Sequence, residues 1–226
     1  MKPPSDTSSA PCPLCGASAH WYYRDRRDYF HCPVCDLVHV PANCQLDSAA
    51  ERSIYDLHQN VAEDPGYQKF LSRLTEPLKE RLGTSGVGLD FGCGPAPALA
   101  LMLEQAGHQV CLHDIYYYPN PEVFDRQWDF ITATEVVEHL SQPTLELDRL
   151  WRCLKPGGWL GIMTKRVTSQ EAFASWHYKN DLTHISFFSS ATFHWLAEKW
   201  AAKLDIIGAD VVLLQKPERQ PLAVND

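Results

Sequence analysis

The sequence of 226 residues contains no hydrophobic run that approaches 18 residues, so it predicts no transmembrane helix. The opening residues, 1–6, have none of the apolar core of a signal peptide, and we expect no export signal there. Positive charge is also scarce: 20 Lys and Arg residues stand against 28 Asp and Glu, a formal net charge of −8. Because a broad nucleic-acid surface needs a basic stripe, this balance argues against one.

A small basic cluster is formed by Arg24, Arg26 and Arg27, and the neighbouring Asp25 and Asp28 dilute it. Short mixed-charge runs are typical of solvated surfaces, so we interpret the cluster as the exposed face of a hairpin. A local contact with nucleic acid is the alternative.

The sequence also lacks the cysteine pattern of a disulfide-rich secreted chain. Of its eight cysteines, four form two C-x-x-C pairs, and Cys44, Cys93, Cys111 and Cys153 are scattered. This pattern predicts a reducing, cytoplasmic environment in which the paired cysteines bind metal instead of forming disulfides.

The two pairs are Cys12 with Cys15 and Cys32 with Cys35, and 16 residues separate them. Two such pairs supply four thiolates for one tetrahedral zinc ion, and the aromatic residues between them favour a β-hairpin. With no open coordination position, that zinc would be structural. A redox role is the weaker alternative, because a redox C-x-x-C pair opens a helix.

Residues 87–94 predict a buried strand that ends at Asp90 and leads into a turn containing Gly92 and Gly94. The turn lacks the third glycine of a dinucleotide fingerprint, and Pro95 and Pro97 follow where free amides would be needed for a pyrophosphate. A second apolar strand, 109–112, leads to an acid at position 114. An acid there is placed to meet ribose hydroxyls.

This arrangement resembles the class I S-adenosylmethionine-dependent methyltransferases. The resemblance implies that the methionine end of the cofactor lies at Asp90, Gly92 and Gly94, and that the ribose lies at Asp114. It extends over residues 67–215, because a strand at 128–133, the E-x-x-E-H motif and the segment L-K-P-G-G-x-L follow in order. A tight strand–helix turn without a ligand is the alternative.

Residues 115–128 are too few for a complete crossover with its own helix and strand. We therefore expect that part of the usual methyltransferase core to be reduced or missing. In its absence, Ile115 or Tyr116 is expected beside the adenine, and Thr134 at the end of the next strand is expected to contact the cofactor.

Glu135, Glu138 and His139 stand at positions i, i+3 and i+4, which share one face at the start of a helix. Two carboxylates and an imidazole suit a divalent ion such as Mg²⁺ or Mn²⁺. The alternative has the glutamates interacting with the helix dipole and the histidine making an ordinary hydrogen bond.

A later segment, 175–188, is dense in aromatic and titratable side chains, including His177, Asp181 and His184. Together with the E-x-x-E-H motif it is similar to the small-RNA 3′-terminal 2′-O-methyltransferases and the ubiquinone-pathway O-methyltransferases. The RNA group implies a divalent ion on two Glu and two His residues, here Glu135, Glu138, His139 and His184.

A metal-free site is the alternative to that ion. His184 or His177 would then be the general base, with Asp181 as the partner of His184. Four aromatic residues of the segment are expected either to wall the acceptor pocket or to pack in the core: Trp176, Tyr178, Phe187 and Phe188.

The sequence therefore predicts an α/β protein: a Rossmann-like doubly wound methyltransferase sheet with a shortened crossover after the second strand, plus an N-terminal zinc ribbon. We divide it into a ribbon (1–45), a linker with lid helices (46–83), a core (84–216) and a flexible tail (217–226). In the linker, the candidates for ligand contact are Tyr55, His58, Asn60 and Tyr67. For Tyr67, packing of the helix is the favoured alternative.

The expected function is O-methylation of a small molecule with adjacent oxygens. One alternative is RNA methylation, in which the ribbon would dock the substrate. The other is a non-catalytic binding module with a degenerate core, against which the complete motif set argues.

Overall fold

A computed structural model describes residues 9–57 and 61–218, which form two β-sheets and six labelled α-helices. The smaller sheet lies at the N-terminal end of the chain and the larger one forms the centre of the molecule. Within the described ranges, no helix has both the length and the apolar composition needed to cross a membrane. Of the residues predicted to contact ligand, His58 and Asn60 lie outside the described ranges.

The smaller sheet is antiparallel and has the order β1-β2-β3-β4-β9. Its strands are β1 (Ser9–Pro11), β2 (Ser18–Arg24), β3 (Asp28–His31), β4 (Val38–His39) and β9 (Ser186–Phe187). The first four strands, residues 9–40 with their turns, are here called the ribbon. The fifth strand comes from much later in the chain, because Val38 pairs with Phe187. One sheet therefore joins the ribbon to the loop that precedes the last helix.

Two helices connect the ribbon to the larger sheet: α1 (Ser48–Tyr55) and α2 (Pro65–Lys79). Each begins at an aspartate whose carboxylate accepts backbone N–H bonds, Asp47 for α1 and Asp64 for α2. Helix α2 buries Leu71, Leu74 and Leu78 in a cluster with residues of the larger sheet. Helix α1 buries none of its residues, so polar contacts at its ends and surface hold it in place.

The larger sheet has the order β10-β11-β8-β7-β5-β6, with β5 to β8 parallel and β11 antiparallel to both of its neighbours. Its strands are β5 (Val87–Phe91), β6 (Gln109–His113), β7 (Trp128–Thr134), β8 (Leu154–Met163), β10 (Lys203–Ile207) and β11 (Val211–Gln215). The remaining helices are α3 (Ala98–Gln105), α4 (Pro143–Cys153), α5 (Gln170–Ser175) and α6 (Ser190–Trp200). The predicted Rossmann-like α/β fold is confirmed.

The centre of this sheet is apolar on both faces. Phe130 and Ile131 in β7 and Leu160 and Ile162 in β8 are each 0% exposed, although alternate residues point to opposite faces. Such continuous apolar strands are typical of a parallel sheet covered on both sides. The polar groups that remain are consequently collected at the ends of the strands.

The connection from β6 to β7 is short, as predicted. Residues 114–127, all of which the structure describes, form a bridge between Asp114 and Tyr118 and a 3-10 turn at Pro121–Asp125, and no further strand. Strand β6 therefore lies at the edge of the sheet. That leaves the carboxyl end of β6 open beside the glycine turn.

The segment carrying Glu135, Glu138 and His139 is not the start of a helix, and that prediction was wrong. Glu135 has a left-handed backbone with φ 53°, Val137–His139 is a 3-10 turn, and α4 begins only at Pro143. The turn follows directly from β7, and the amide of Glu135 donates to the carbonyl of Met163 on the neighbouring strand. The carboxyl end of strand β7, and not a helix face, therefore orients these side chains.

Candidate active site

A cavity of about 580 Å³ lies at the carboxyl ends of β5, β6 and β7. In an open parallel sheet this is the edge at which ligands bind. The predicted site residues that line it come from several parts of the chain: Gly92, Gly94, Asp114, Ile115, Thr134, Glu135, His139, Asp181 and His184. Tyr55 and Tyr67 from the two connecting helices also line it.

The glycine turn forms one wall of the cavity. Gly92 has φ +72° and donates from its amide to the carbonyl of His113 at 2.7 Å. A Cβ at Gly92 would lie 2.4 Å from Val136 Cγ2, so this backbone approach requires glycine. Gly94 has φ +63° and would find no atom within 4 Å of an added Cβ, which leaves open space beside its backbone.

Asp114 is fixed at the end of β6 by backbone amides. One carboxylate oxygen accepts from the amide of Gly94 at 3.0 Å, and the other accepts from the amides of Tyr116 and Tyr117 at 2.8 and 3.1 Å. The next residue, Ile115, is 66% exposed at the cavity rim. An oriented acid beside an exposed apolar side chain suits a nucleoside.

Thr134 ends β7 and lines the same cavity. Its hydroxyl oxygen is buried and has no hydrogen-bond partner among the described residues. Asp90 lies elsewhere: it is 3% exposed, is not among the described residues that line the cavity, and accepts from the Thr132 hydroxyl at 2.8 Å. Burial raises the pKa of Asp90 to about 7. The Asp90 carboxylate is therefore bonded to the neighbouring strand β7.

A cluster of three ligand-type side chains lies at the cavity: His139 and His184 line it, and Glu138 is fully buried next to them. Atoms of Glu138, His139 and His184 all lie within 4.8 Å of one another, and the two imidazole rings are 4.7 Å apart. His139 Nδ1 is 3.1 Å from the carbonyl of Thr183, and His184 Nδ1 is 2.8 Å from that of Tyr178. Backbone carbonyls that accept from Nδ1 fix the tautomer in which Nε2 is the ligand atom.

Glu135 stands apart from this group of three but shares a partner with Glu138. The Tyr178 hydroxyl contacts both carboxylates, at 3.2 Å for Glu135 and also closely for Glu138. Burial raises the pKa of Glu138 to about 7, and burial together with the charge of Glu138 raises that of Glu135 to about 8. Glu135 Oε1 is buried without a partner among the described residues. The Lys165 ammonium lowers the pKa of Glu135, but its effect is smaller than the opposing effects of burial and of Glu138.

His184 is 8% exposed, and burial followed by the neighbouring His139 lowers its pKa to about 4. Asp181 Oδ2 lies 3.8 Å from His184 Nε2. Although Asp181 is partly buried, its hydrogen bonds from Thr183 keep its pKa below the usual value. A neutral imidazole next to a carboxylate is the form that binds metals.

His177 is not part of this arrangement. It is exposed, lies outside the described cavity lining, and its Nε2 is 3.0 Å from Lys165 Nζ. The four aromatic residues of segment 175–188 are also absent from the described cavity lining and pack in the core instead: Trp176, Tyr178, Phe187 and Phe188. Of the two roles considered for them, core packing is the one observed.

The four paired cysteines meet in the ribbon. Their sulfur atoms all lie within 4.8 Å of one another, with Cys12 Sγ 3.5 Å from Cys35 Sγ and Cys15 Sγ 3.4 Å from Cys32 Sγ. The two turns have the same form. The amide of Gly16 donates to the carbonyl of Cys12, and the amide of Asp36 donates to the carbonyl of Cys32, each at 2.9 Å. Four converging thiols are the ligand set of tetrahedral zinc.

Arg27 is a residue whose position the sequence did not predict. We expected a solvated arginine, but it is 6% exposed and its guanidinium donates to the carbonyls of residues 179–184. The prediction for Arg27 was wrong because its partners are about 150 residues away in the chain, where no local pattern shows them. Arg24 is half-exposed and Arg26 is exposed, as expected.

The attachment of α1 to the cavity rim was also not predicted. Glu51 accepts from the hydroxyls of Tyr55 and Tyr116 at 3.0 and 2.8 Å, and Asp56 accepts from the Tyr117 hydroxyl at 2.8 Å. These bonds hold a helix without buried residues over the end of β6. The run of three tyrosines at 116–118 was the available signal, because tyrosine hydroxyls need partners when half-buried.

Comparison with known proteins gives a family match that includes the four parallel strands β5 to β8. The family described as "Methyltransferase domain" matches residues 64–201. This range begins at the cap of α2 and includes the glycine turn, the E-x-x-E-H turn and α6.

A curated relative is the ubiquinone biosynthesis O-methyltransferase of Pseudomonas putida. It is 31% identical over 85 residues, which is 38% of this chain and 36% of the relative. The corresponding protein of Pseudomonas fluorescens is 29% identical over the same length. The chain therefore spans about a third of the length of the curated relatives it matches.

Two solved structures have a similar fold. A 1,6-didemethyltoxoflavin-N1-methyltransferase from Burkholderia thailandensis, solved with S-adenosylhomocysteine, has a TM-score of 0.53 and 16% identity, covering 89% of this chain and 100% of that one. An O-methyltransferase family protein from the same organism has a TM-score of 0.50 and 13% identity, covering 76% and 64%. At these identities the likeness concerns the fold alone.

Proposed function

This chain belongs to the methyltransferase domain family, and on that premise we propose that it transfers a methyl group from S-adenosylmethionine to an oxygen of a small molecule with adjacent oxygens. The observation that carries the proposal is the cavity. Its lining includes Gly92, Gly94 and Asp114, and it also includes Glu135, His139 and His184. A donor site and a group of acids and imidazoles that share one cavity can hold two reactants in line.

The cavity residues at and near the glycine turn fit the cofactor. The open space beside Gly94 admits the methionine end, and the fixed carboxylate of Asp114 can accept from ribose hydroxyls. Ile115 lies at the rim where the adenine would extend, and Thr134 offers a buried hydroxyl. When bound, S-adenosylmethionine supplies a methyl group that is already electrophilic.

The cluster of Glu138, His139 and His184 fits a divalent ion, with the two histidines in the cavity lining and Glu138 buried next to them. Bound Mg²⁺ or Mn²⁺ would lower the pKa of an acceptor hydroxyl there. The metal-free alternative is weaker, because an imidazole with a pKa of about 4 is a poor base near neutral pH. Glu135 adds a buried carboxylate next to the same centre.

The overall reaction forms a bond between carbon and the acceptor oxygen and breaks the bond between carbon and sulfur. The hydroxyl proton is released to water, and the sulfonium becomes a neutral thioether. A small acceptor is favoured over RNA because the cavity is about 580 Å³ and the chain carries a net charge of −8. The ribbon would then have a structural role with one zinc ion on Cys12, Cys15, Cys32 and Cys35.

Calorimetric titration with S-adenosylmethionine tests the premise. We expect binding in the wild type and at least about a tenfold weaker affinity in Asp114→Ala, because the ribose loses its acceptor. Asp125→Ala, at an exposed position of the 3-10 turn, is the matched control and should bind normally. Absence of binding at millimolar cofactor would refute the proposal.

The acceptor class is tested with 3,4-dihydroxybenzoate and with 3-hydroxybenzoate, which lacks the neighbouring hydroxyl. Mass spectrometry should detect a methyl ether from the first compound and little or none from the second. Equal methylation of both would show that adjacent oxygens are not what the site recognises.

The ion is tested by the binding of Mn²⁺, followed by electron paramagnetic resonance. His184→Gln should lose the bound signal, whereas His177→Gln should keep it, because His177 lies outside the cluster. Turnover that is unaffected by a chelator would contradict the divalent-ion site.

A further inference from the structure

The hairpin turn between β2 and β3 is fastened to the segment that carries His184. At this turn Arg27 Nη1 donates to the carbonyl of Leu182 at 2.7 Å, and Nη2 donates to those of His184 and Asp181 at 2.6 and 3.0 Å. Nη2 also reaches the carbonyl of Lys179 at 3.3 Å. One guanidinium therefore contacts four carbonyls within residues 179–184.

Arg27 is held on the ribbon side by Tyr29, whose hydroxyl accepts from Nε at 3.1 Å. The contacts of its guanidinium thus all go to neutral oxygens, while the nearby carboxylate of Asp25 pairs with Lys179. A planar group with five donors on three nitrogen atoms can reach carbonyls spread over a wider area than the three donors on the single nitrogen of lysine. The geometry of the carbonyls, and not ion pairing, is what this arginine fits.

The same segment sets the orientation of both imidazoles of the candidate active site. His184 Nδ1 is 2.8 Å from the carbonyl of Tyr178, and His139 Nδ1 is 3.1 Å from that of Thr183. The amide of Ile185 donates to the carbonyl of Glu138 at 2.8 Å. A shift of residues 178–185 would consequently move the donor atoms of Glu138, His139 and His184 relative to one another.

A second contact strengthens the attachment. Lys179 is 5% exposed, its ammonium contacts the Asp25 carboxylate, and it lies 5.1 Å from the centre of the Tyr23 ring. The Tyr29 hydroxyl donates to the carbonyl of Lys179 at 3.3 Å. Residues of the ribbon therefore hold both the backbone and a buried side chain of the segment.

From these contacts we propose that Arg27 is a positioning residue for the reaction: through the carbonyls of residues 179–184 it holds His184 and His139 in the geometry that methyl transfer needs. The inference rests on the proposed function of the cavity for its effect on turnover. Its structural part, the orientation of the His184 ring, stands on the contacts of Arg27 alone. The ribbon is by this account a component of the active site that touches neither reactant.

The test compares Arg27→Met with Arg26→Met, an exposed neighbour in the same turn. The ring resonances of the ten histidines are recorded by ¹H–¹³C NMR at constant pH, and the His184 signal is assigned by its loss in His184→Gln. In Arg27→Met the His184 signal should shift or broaden, while Arg26→Met should reproduce the wild type. Arg27→Lys should deviate in the same direction and by less.

Kinetics with 3,4-dihydroxybenzoate supply the second readout. In Arg27→Met we expect kcat to fall on the order of 10–100-fold, because misplacement of catalytic groups by about 1 Å has effects of that size. The Kd for S-adenosylmethionine should stay within about twofold, since the glycine turn and Asp114 do not contact Arg27. Bound zinc should be unchanged, which separates this effect from loss of the ribbon.

Two outcomes would overturn the inference. One is a His184 resonance in Arg27→Met that coincides with that of Arg26→Met. The other is a kcat that falls only in proportion to the folded fraction. If Arg27→Met does not fold, the same comparison is made between Arg27→Lys and Arg26→Lys. A wild type that binds no cofactor refutes the proposed function, and the NMR comparison still decides the role of Arg27.

Discussion

At Gly92 the backbone of the glycine turn and the side chain of Val136 occupy adjacent space. The positive φ of this residue and the 2.4 Å distance from an added Cβ to Val136 Cγ2 both disfavour any other amino acid. Gly94 shares the positive φ but has open space on its Cβ side. A substitution at Gly94 would therefore introduce backbone strain alone, whereas one at Gly92 would introduce both backbone strain and steric overlap.

We predict that Gly92→Ala lowers the free energy of unfolding by about 1–3 kcal/mol more than Gly94→Ala, since only the first adds overpacking to strain. Urea denaturation measures the difference. Val136→Ala combined with Gly92→Ala should recover part of the loss. If the two single variants are equally stable, the contact with Val136 is not the reason for the glycine.

Asp90 gives a prediction about pH. Its folded pKa of about 7 exceeds the ordinary value of 3.8, so the folded protein holds the proton more tightly than the unfolded chain. The contribution of Asp90 to the free energy of unfolding is complete below pH 3.8 and is lost as the pH rises toward 7. Above that range, the folded protein contains a costly buried carboxylate.

Asp90→Asn should therefore gain stability relative to the wild type as the pH is raised from about 4 to 8, with an upper limit of about 4 kcal/mol. Chemical denaturation at several pH values measures this trend. Asp125→Asn, at an exposed position, controls for the change in net charge. A difference between Asp90→Asn and the wild type that does not vary with pH would contradict the raised pKa.

Residues whose position depends on local spacing were predictable. The glycines at 92 and 94 and the cysteine pairs are recognisable because a turn or a metal knuckle needs fixed intervals in the chain. The burial of Arg27 and the contact of the Tyr178 hydroxyl with Glu138 were not predicted, because the partners of both residues come from distant segments. The sequence offered His177 and His184 equally as candidate general bases, whereas in the structure His177 is exposed and His184 is buried.

Among the secondary-structure elements, helix α1 has an unusual attachment. It buries none of its own residues, yet hydrogen bonds from Tyr116 and Tyr117 fix it at the rim of the cavity. A helix held in this way opens more easily than one with an apolar face in the core. Through Glu51 and Tyr55 the helix contributes to the lining of the cavity.

Removal of one of these bonds in Tyr117→Phe should increase amide hydrogen exchange in α1 by about 3–10-fold, the equivalent of one net hydrogen bond. Exchange mass spectrometry over residues 48–57 measures it. Ser53→Ala is the control, because the Ser53 hydroxyl bonds only within its own helix. Equal exchange in both variants would mean that other contacts hold the helix.

Strands β5, β6 and β7 of the larger sheet were predictable from apolar runs and turn residues, as was the short connection after β6. The E-x-x-E-H segment was not, because its spacing is compatible with a helix, whereas the left-handed Glu135 starts a 3-10 turn. The pairing of β4 with β9 was also not predictable, since two-residue strands carry no periodicity.

At the scale of the whole molecule, the ribbon and the larger sheet are joined by the β4–β9 pairing, by Arg27 and by Asp36, which accepts from the Ser189 hydroxyl at the start of α6. Loss of the proposed zinc should therefore affect the entire fold and not a separate N-terminal unit. Cooperative unfolding in one transition is the expected behaviour of elements joined in this way.

We predict that Cys35→Ser loses the zinc and lowers the Tm of a single calorimetric transition by at least about 5 °C. Cys44→Ser, which removes a thiol outside the cluster, should retain one equivalent of zinc and the wild-type Tm. Two resolved transitions in Cys35→Ser, with the larger one unshifted, would show that the ribbon is energetically independent.

The β4–β9 pairing also has a consequence for synthesis on the ribosome. The ribbon emerges before residues 179–187, because Arg27 and its partner Leu182 are 155 residues apart. Until that later segment has been synthesised, the nascent ribbon meets neither its fifth strand nor the carbonyls that bury this arginine. In the interval β4 presents an unpaired edge, which is a template for pairing with other chains. A chain stalled before Ser186 is therefore exposed to aggregation at that edge even when its four cysteines have already come together.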